Sequence, residues 1–247
     1  MQDVELTWGS ATDTGQRAEN QDSALARPPV FVVADGMGGH AAGRQASVAV
    51  VDRLSRSGSD TGEPMASVEA LLAAVHDADD DIRRAAASLD DARGMGTTVA
   101  GVALVRAEGR ARWAVFHVGD SRVYLLADGR LERVSTDHSV VQELLDRGVI
   151  RADEVAAHPQ RHLVTRALGV GPAADAEVRL LPVEPGQRFL ICSDGLTGEL
   201  PDEEIAELLG GAASADAAAA ELVRTAAERG ASDNVTAVVV EVRVAEN

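Results

Sequence analysis

The chain has 247 residues, enough for one large domain or two small ones with a substantial buried core. Its formal charge is -17 and all 23 basic residues are arginines, a balance that excludes a nucleic-acid groove and means that any anionic ligand needs local compensation, such as a bound divalent cation. Aromatics make up 2% against 45% hydrophobic residues, so the core must come from Val, Leu, Ile and Ala, as in β-branched sheets under Ala-rich helices.

Three stretches at the start read as strands: VELTWGSAT, DSALA and VFVVADG, the last an apolar run ending abruptly in Asp-Gly. Helices are predicted over residues 41–56 and 65–89, separated by the loop SGSDTGEP. The triplet Asp79, Asp80 and Asp81 falls in the second and reads as a solvated helix face, because consecutive helical positions point in different directions. Strands return with TTVAGVALVRA, RARWAVFHVGD and RVYLLADGRLERVS, an expected antiparallel meander with hairpin turns at Ala-Glu-Gly-Arg and Ala-Asp-Gly-Arg. Residues 136–171 form a polar, weakly patterned excursion with a short helix near 140–147. Two strands, AEVRLLPV and QRFLICSDG, lead to the helices PDEEIAELLGG and ADAAAAELVRTAAERG and a closing strand, NVTAVVVEVRV. In that strand Val238, Val240, Val242 and Val244 alternate with Glu241 and Arg243 in the manner of a half-buried strand. Helices do not alternate regularly with strands, so the expected fold class is α+β, with two stacked antiparallel sheets covered by two helical pairs in a single domain, 1–247.

Several aspartates share one context, at a strand end and beside glycine or a small polar residue: Asp35, Asp120, Asp194 and Asp233. A carboxylate there can be held rigidly yet stay accessible, and a neighbouring glycine lets an ion approach the backbone. Oxygen ligands of this type suit Mg2+ or Mn2+, and no Cys or His pair at ligand spacing suggests zinc. Any single Asp-Gly pair is more often only a turn. The one cysteine, Cys192, lies in the apolar run RFLIC without a basic neighbour and reads as a buried structural thiol; it excludes an intrachain disulfide and fits a reducing compartment.

The chain resembles the protein phosphatase 2C family of metal-dependent Ser/Thr phosphatases, and its bacterial members in particular. The resemblance rests on RAENQD from Arg17, VVADGMGGHAAG from Val32, GTT from Gly96, VGDSR from Val118, TRALG from Thr165, CSDGLT from Cys192 and SDNVTAVVV from Ser232, in the family's order. It implies a β-sandwich flanked by helices. It also implies that Asp35 bridges two Mn2+ or Mg2+ ions, that the Gly36 carbonyl binds the second, and that Asp194 and Asp233 complete the first. Asp120, with Asp194, would recruit a weaker third ion, Asp22 would hold metal-bound water, and Arg17 would bind phosphate; a surface ion pair of Arg17 with Glu19 or Asp22 is its plainer reading. Two ions about 4 Å apart can share a water and lower its pKa toward neutrality for in-line attack on phosphorus.

Met37 stands where some family members carry a histidine implicated in protonating the leaving group. Methionine donates no proton, so metal-bound water or His40 is the candidate acid, His40 otherwise reading as a polar cap at a helix entry. Residues 136–171 correspond to the family's flap beside the active site, and His138, His158 and His162 within it read as structural or substrate-contacting. The function implied is hydrolysis of phosphoserine and phosphothreonine in proteins, opposing a bacterial Ser/Thr kinase. A phosphatase of small phosphate esters and a catalytically silent phosphoprotein-binding relative are the alternatives. No segment is apolar for the ~20 residues of a membrane span and no leader pattern opens the chain, which implies a cytoplasmic protein or the soluble catalytic part of a membrane-anchored one.

Overall fold

In a computed structural model of the chain, residues 4–38, 41–57, 63–88, 94–173 and 175–245 are described. Strands β1 (Val4–Asp13), β2 (Asp22–Arg27) and β3 (Val30–Met37) are followed by helices α1 (Ala42–Ser57) and α2 (Val68–Ser88). The short β4 (Gly96–Thr97) leads into two hairpins, β5 (Val99–Ala107) with β6 (Arg110–Val118) and β7 (Arg122–Ala127) with β8 (Arg130–Arg133). The excursion holds α3 (Val140–Asp146) and α4 (Ala152–Val155). After it come β9 (Glu177–Pro182), β10 (Arg188–Cys192), the helical turn α5 (Asp194–Thr197), α6 (Asp202–Gly211), α7 (Ala215–Glu228) and β11 (Val235–Val244).

One sheet runs β1-β11-β10-β7-β8 and the other β2-β3-β5-β6-β9, with β4 paired to β3, and all these pairings are antiparallel. Alternate residues of the strands divide the core into three slabs. Phe31, Trp113, Phe189, Val238 and Val240 fill the space between the sheets, with successive ring centroids 6.4 and 5.3 Å apart along Phe31, Trp113 and Phe189. Val32, Val50, Leu54 and Ile82 join α1 and α2 to the second sheet, while Leu190, Val239 and Leu222 join α6 and α7 to the first. The α+β sandwich flanked by helical pairs is therefore as expected.

Three expectations change. The supposed meander is two hairpins in different sheets: β6 belongs to one and β7 to the other, and residues 119–121 carry the chain across. The turns themselves are as read, with positive φ at Glu108, Gly109, Asp128 and Gly129. The first half of β11 is buried on both faces, because helices cover the side opposite the sandwich. Asp79 is buried rather than solvated, since it lies on the same α2 stripe as Leu71, Val75 and Ile82. It accepts the Gly169 N–H at 2.5 Å and pairs with Arg83 at 2.8 Å, whereas Asp81 faces outward to Arg53 and Arg84.

Candidate metal centre

Antiparallel pairing brings the acidic strand ends to one edge of the sandwich. Asp22 opens β2 directly opposite Asp35 near the end of β3; Asp120 follows β6, Asp194 follows β10, and Asp233 precedes β11. A cavity of about 800 Å³ opens there, and Arg17, Asp35, Gly36, Asp120, Asp194 and Asp233 all line it. Asp22 lies buried behind this wall. The structure thus brings together every predicted site residue except His40, which lies outside the described residues.

Hydroxyls and one amide fix the carboxylates in place. The Asp35 N–H donates to Thr98 Oγ1 at 3.0 Å, and the Thr97 hydroxyl donates to the Asp35 carbonyl at 2.8 Å. Ser193 donates to Asp22 Oδ2 at 2.8 Å while accepting the Thr236 N–H at 2.9 Å, so it joins β2 of one sheet to β11 of the other. Asn234 accepts the Gln21 N–H at 2.8 Å and donates to the carbonyls of Thr14 and Glu19, lashing the loop that carries Arg17 to the start of β11. These supports were not assigned from sequence. Their signal was the small polar residues beside the aspartates in CSD and SDN, and the threonine pair of GTT, which has no aspartate next to it in sequence.

The glycines beside the aspartates serve packing as well. A Cβ on Gly36 would lie 2.2 Å from the Gly43 carbonyl oxygen of α1, and one on Gly195 2.1 Å from that of Asn234. At these two positions neighbouring backbone fills the space a side chain would need, so glycine is required there for packing.

Crowding raises the proton affinity of the acids. Burial, and then the charges of Asp22, Asp194, Asp120 and Asp233, hold Asp35 well above the ordinary carboxylate range. Burial with Asp194 and Asp137 pushes Asp120 up to about 8, and burial, partly offset by hydrogen bonds to Thr236 and Ser193, pushes Asp22 to about 6. Asp194 is raised by burial and by Asp233. Asp22 Oδ1 and Asp194 Oδ1 are buried with no hydrogen-bond partner among the described residues. Orphaned anionic oxygens facing like charges are what a hard divalent cation satisfies, so the donor set fits Mn2+ or Mg2+.

Arg17 departs from its plainer reading. Its guanidinium donates to Asp233 Oδ2 at 2.7 Å rather than pairing with Glu19 or Asp22. From the excursion, Arg161 and His162 reach the cavity wall, and His162 Nδ1 lies 4.0 Å from Asp194 Oδ2. His138 is buried away from the cavity, as a structural residue would be.

His117, His138 and Glu177 also bring ligand-type atoms within 4.8 Å of one another, but their hydrogen bonds oppose an ion there. His138 Nδ1 accepts the Gly119 N–H at 3.1 Å, so the proton sits on Nε2 and points to Glu177 at 3.0 Å. Arg166 adds a guanidinium 3.0 Å from the same Glu177 oxygen.

A protein phosphatase 2C family model matches residues 14–239. The chain belongs to the protein phosphatase 2C family. Its relatives include the serine/threonine protein phosphatase PstP of Mycobacterium tuberculosis, 38% identical over 240 residues that cover 96% of this chain and 45% of PstP. The chain thus spans about half the length of that relative. The serine/threonine phosphatase stp of Listeria monocytogenes is 35% identical over 93% of this chain and 89% of its own. Among solved structures, the PstP catalytic domain in complex with two manganese ions superposes with a TM-score of 0.88 at 35% identity, covering 98% of this chain and 100% of that one. No helix among the described residues is long and apolar enough to cross a membrane.

Proposed function

We propose that this chain hydrolyses phosphoserine and phosphothreonine monoesters in proteins, as one catalytic domain with a flap over residues 136–171. The observation that carries the reading is the convergence of Asp35, Asp120, Asp194 and Asp233 with Arg17 on one cavity, above buried carboxylate oxygens that lack partners. Divalent ions held there would acidify an attacking water and neutralise phosphate charge. Asp35 sits centrally, facing Asp22, Asp194, Asp120 and Asp233, which suits a bridging ligand, with the Gly36 carbonyl beside it for the second ion. Asp194 and Asp233 would complete the first site, Asp120 with Asp194 would hold a weaker third ion, and Asp22 would orient water behind them.

Arg17 takes the phosphate as a planar fork, exchanging Asp233 for two phosphate oxygens and holding the monoester in line. A buried acidic floor rejects the dianion until cations are loaded, which also gives the strongly acidic chain an answer to its own repulsion. Substrates would be phosphoproteins made by a Ser/Thr kinase in the cytoplasm, whether or not the chain is attached to a membrane anchor. Met37 on the wall carries no transferable proton, and His40 is proposed as the acid that protonates the departing alkoxide. His40→Ala should then slow a phosphothreonine peptide more than nitrophenyl phosphate; equal loss on both removes His40 from that role.

The decisive experiment is hydrolysis of a phosphothreonine peptide with Mn2+ and with EDTA, for the wild type and Asp35→Asn. Turnover should require Mn2+ and collapse in the variant, and equal rates under all conditions would sink the proposal. Retention of the intact phosphopeptide without turnover would favour a silent binder. A higher kcat/KM on a small ester than on the peptide would favour the small-ester reading.

A further inference from the structure

The switch between sheets at residues 119–121 carries Asp120 and is held in shape by neighbours from other segments. Gly119 adopts a φ of +107°, and a Cβ there would lie 2.6 Å from Thr98, so the turn has little room to rearrange around another residue. Ser121 Oγ shares a hydrogen bond with Thr98 Oγ1 at 2.7 Å, and further support comes from the first residues of the flap. The His138 N–H donates to the Gly119 carbonyl at 2.9 Å, and the Gly119 N–H donates back to His138 Nδ1 at 3.1 Å. On the far side of Asp120, Arg122 makes a two-pronged contact with Asp137, Nε at 3.0 Å from each oxygen and Nη2 at 2.7 Å from Oδ2. Adjacent residues 137 and 138 therefore grip both arms of the turn that presents Asp120.

The same histidine reaches outward along the flap. Its carbonyl accepts the Thr165 N–H at 2.7 Å, closing the flap's neck, and its Nε2–H donates to Glu177 beside Arg166. The ring stacks on His117, with centroids 4.7 Å apart. Burial holds the His138 pKa below its usual value, in keeping with the neutral ring whose Nδ1 must stay free to accept.

We infer that His138 is a positioning residue for the metal centre: as a neutral Nε2–H imidazole it locks the Gly119 amide, and through it the geometry of Asp120, to the neck of the flap. This rests on the reading of Asp120 as a cation ligand given above. It makes cation affinity at Asp120 depend on a side chain that touches neither cation nor substrate, and it makes flap order and the shape of the turn reciprocal.

Two substitutions separate the acceptor from mere bulk. In His138→Asn the amide oxygen falls near the place of Nδ1 and can still accept from Gly119, while the bond to Glu177 is lost. In His138→Gln the amide reaches toward Glu177 and the Gly119 acceptor is lost. In metal-free protein, deuterium exchange over residues 118–121 should quicken roughly tenfold in His138→Gln and by less than about threefold in His138→Asn, the cost of one buried hydrogen bond. Calorimetric titration of Mn2+ should show the weakest site loosened about fivefold or more in His138→Gln, with the tighter sites unchanged. Wild-type exchange and Mn2+ affinity in His138→Gln, or equal damage in both variants, would overturn the inference. If either fails to fold, nitrogen NMR of the wild type carries the test: the Gly119 N–H should couple through its hydrogen bond to His138 Nδ1 with the ring proton on Nε2, and an Nδ1–H tautomer would overturn the inference. A wild-type chain that binds no Mn2+ would instead refute the proposed function, while the exchange result would still test His138.

Discussion

Asp35 and Asp120 line one cavity but are held by different parts of the molecule. Asp35 lies near the end of β3, whose residues 31–34 are fully buried, and Thr97 and Thr98 bind its backbone carbonyl and N–H. Asp120 stands in a three-residue crossing between sheets; Ser121 ties the crossing to Thr98, but the Gly119 amide and Arg122 bind His138 and Asp137, the first residues of the flap. On the proposed reading, one ligand would be part of the core and the other would be coupled to the flap. A metal site built this way would combine a permanent half with an adjustable half.

Mutations at the two positions should therefore differ in kind. Asp35→Asn removes the central carboxylate from a rigid frame, and phosphopeptide turnover should fall by on the order of 10³-fold or more, unrecovered at high Mn2+. Asp120→Asn should cost about tenfold at low Mn2+ and recover substantially as Mn2+ is raised, read from saturation curves of initial rate against Mn2+. Equal and unrecoverable loss at both positions would erase the distinction.

The crowded acids make a second prediction, for the metal-free protein. Burial raises Asp22 to about 6 and Asp120 to about 8, above the roughly 3.9 of an unfolded aspartate, so the folded state holds more protons than the unfolded one across that interval. Their stabilising protonation is complete at low pH and is lost as pH rises through the folded values. In EDTA, the Tm should fall between about pH 5 and pH 8, by about 2–4 °C for each kcal/mol lost, and Mn2+ should flatten the slope. A Tm that rises over this interval without metal would contradict the electrostatic picture.

The smallest expected effect lies at the other neck of the flap. Asp79→Ala orphans the Gly169 N–H and frees Arg83, which otherwise donates to the Gly171 carbonyl at 2.7 Å. Denaturant unfolding should lose about 1–3 kcal/mol, with Mn2+ affinity at the Asp35 site unchanged. A stability equal to wild type would mean that this end of the flap is held mainly by the paired bonds between Leu168 and Thr97.

These contrasts also mark what was legible in the sequence. Strands were readable where period-two burial or an apolar run met a turn residue, and the acids that line the cavity were readable because each carried the same strand-end context. The crossing at 119–121 was not, because a sheet change and a hairpin both need a tight, polar, glycine-containing connection, and only the pairing partners of β6 and β7 distinguish them. Asp79 was misread because three acids in a row look solvated; its place on the apolar stripe was the stronger signal. Ser193, Asn234 and Thr98 were quoted in motifs but given no task, since their partners are far away in sequence: Asp22, Gln21 and Asp35.

The ion pair between Arg17 and Asp233 would, on the proposed roles, set an order of events. It joins the guanidinium that would take phosphate to a carboxylate that would take a cation. A cation claiming Asp233 would release Arg17 in the same event, so that metal loading would come first and phosphate monoesters would be admitted second.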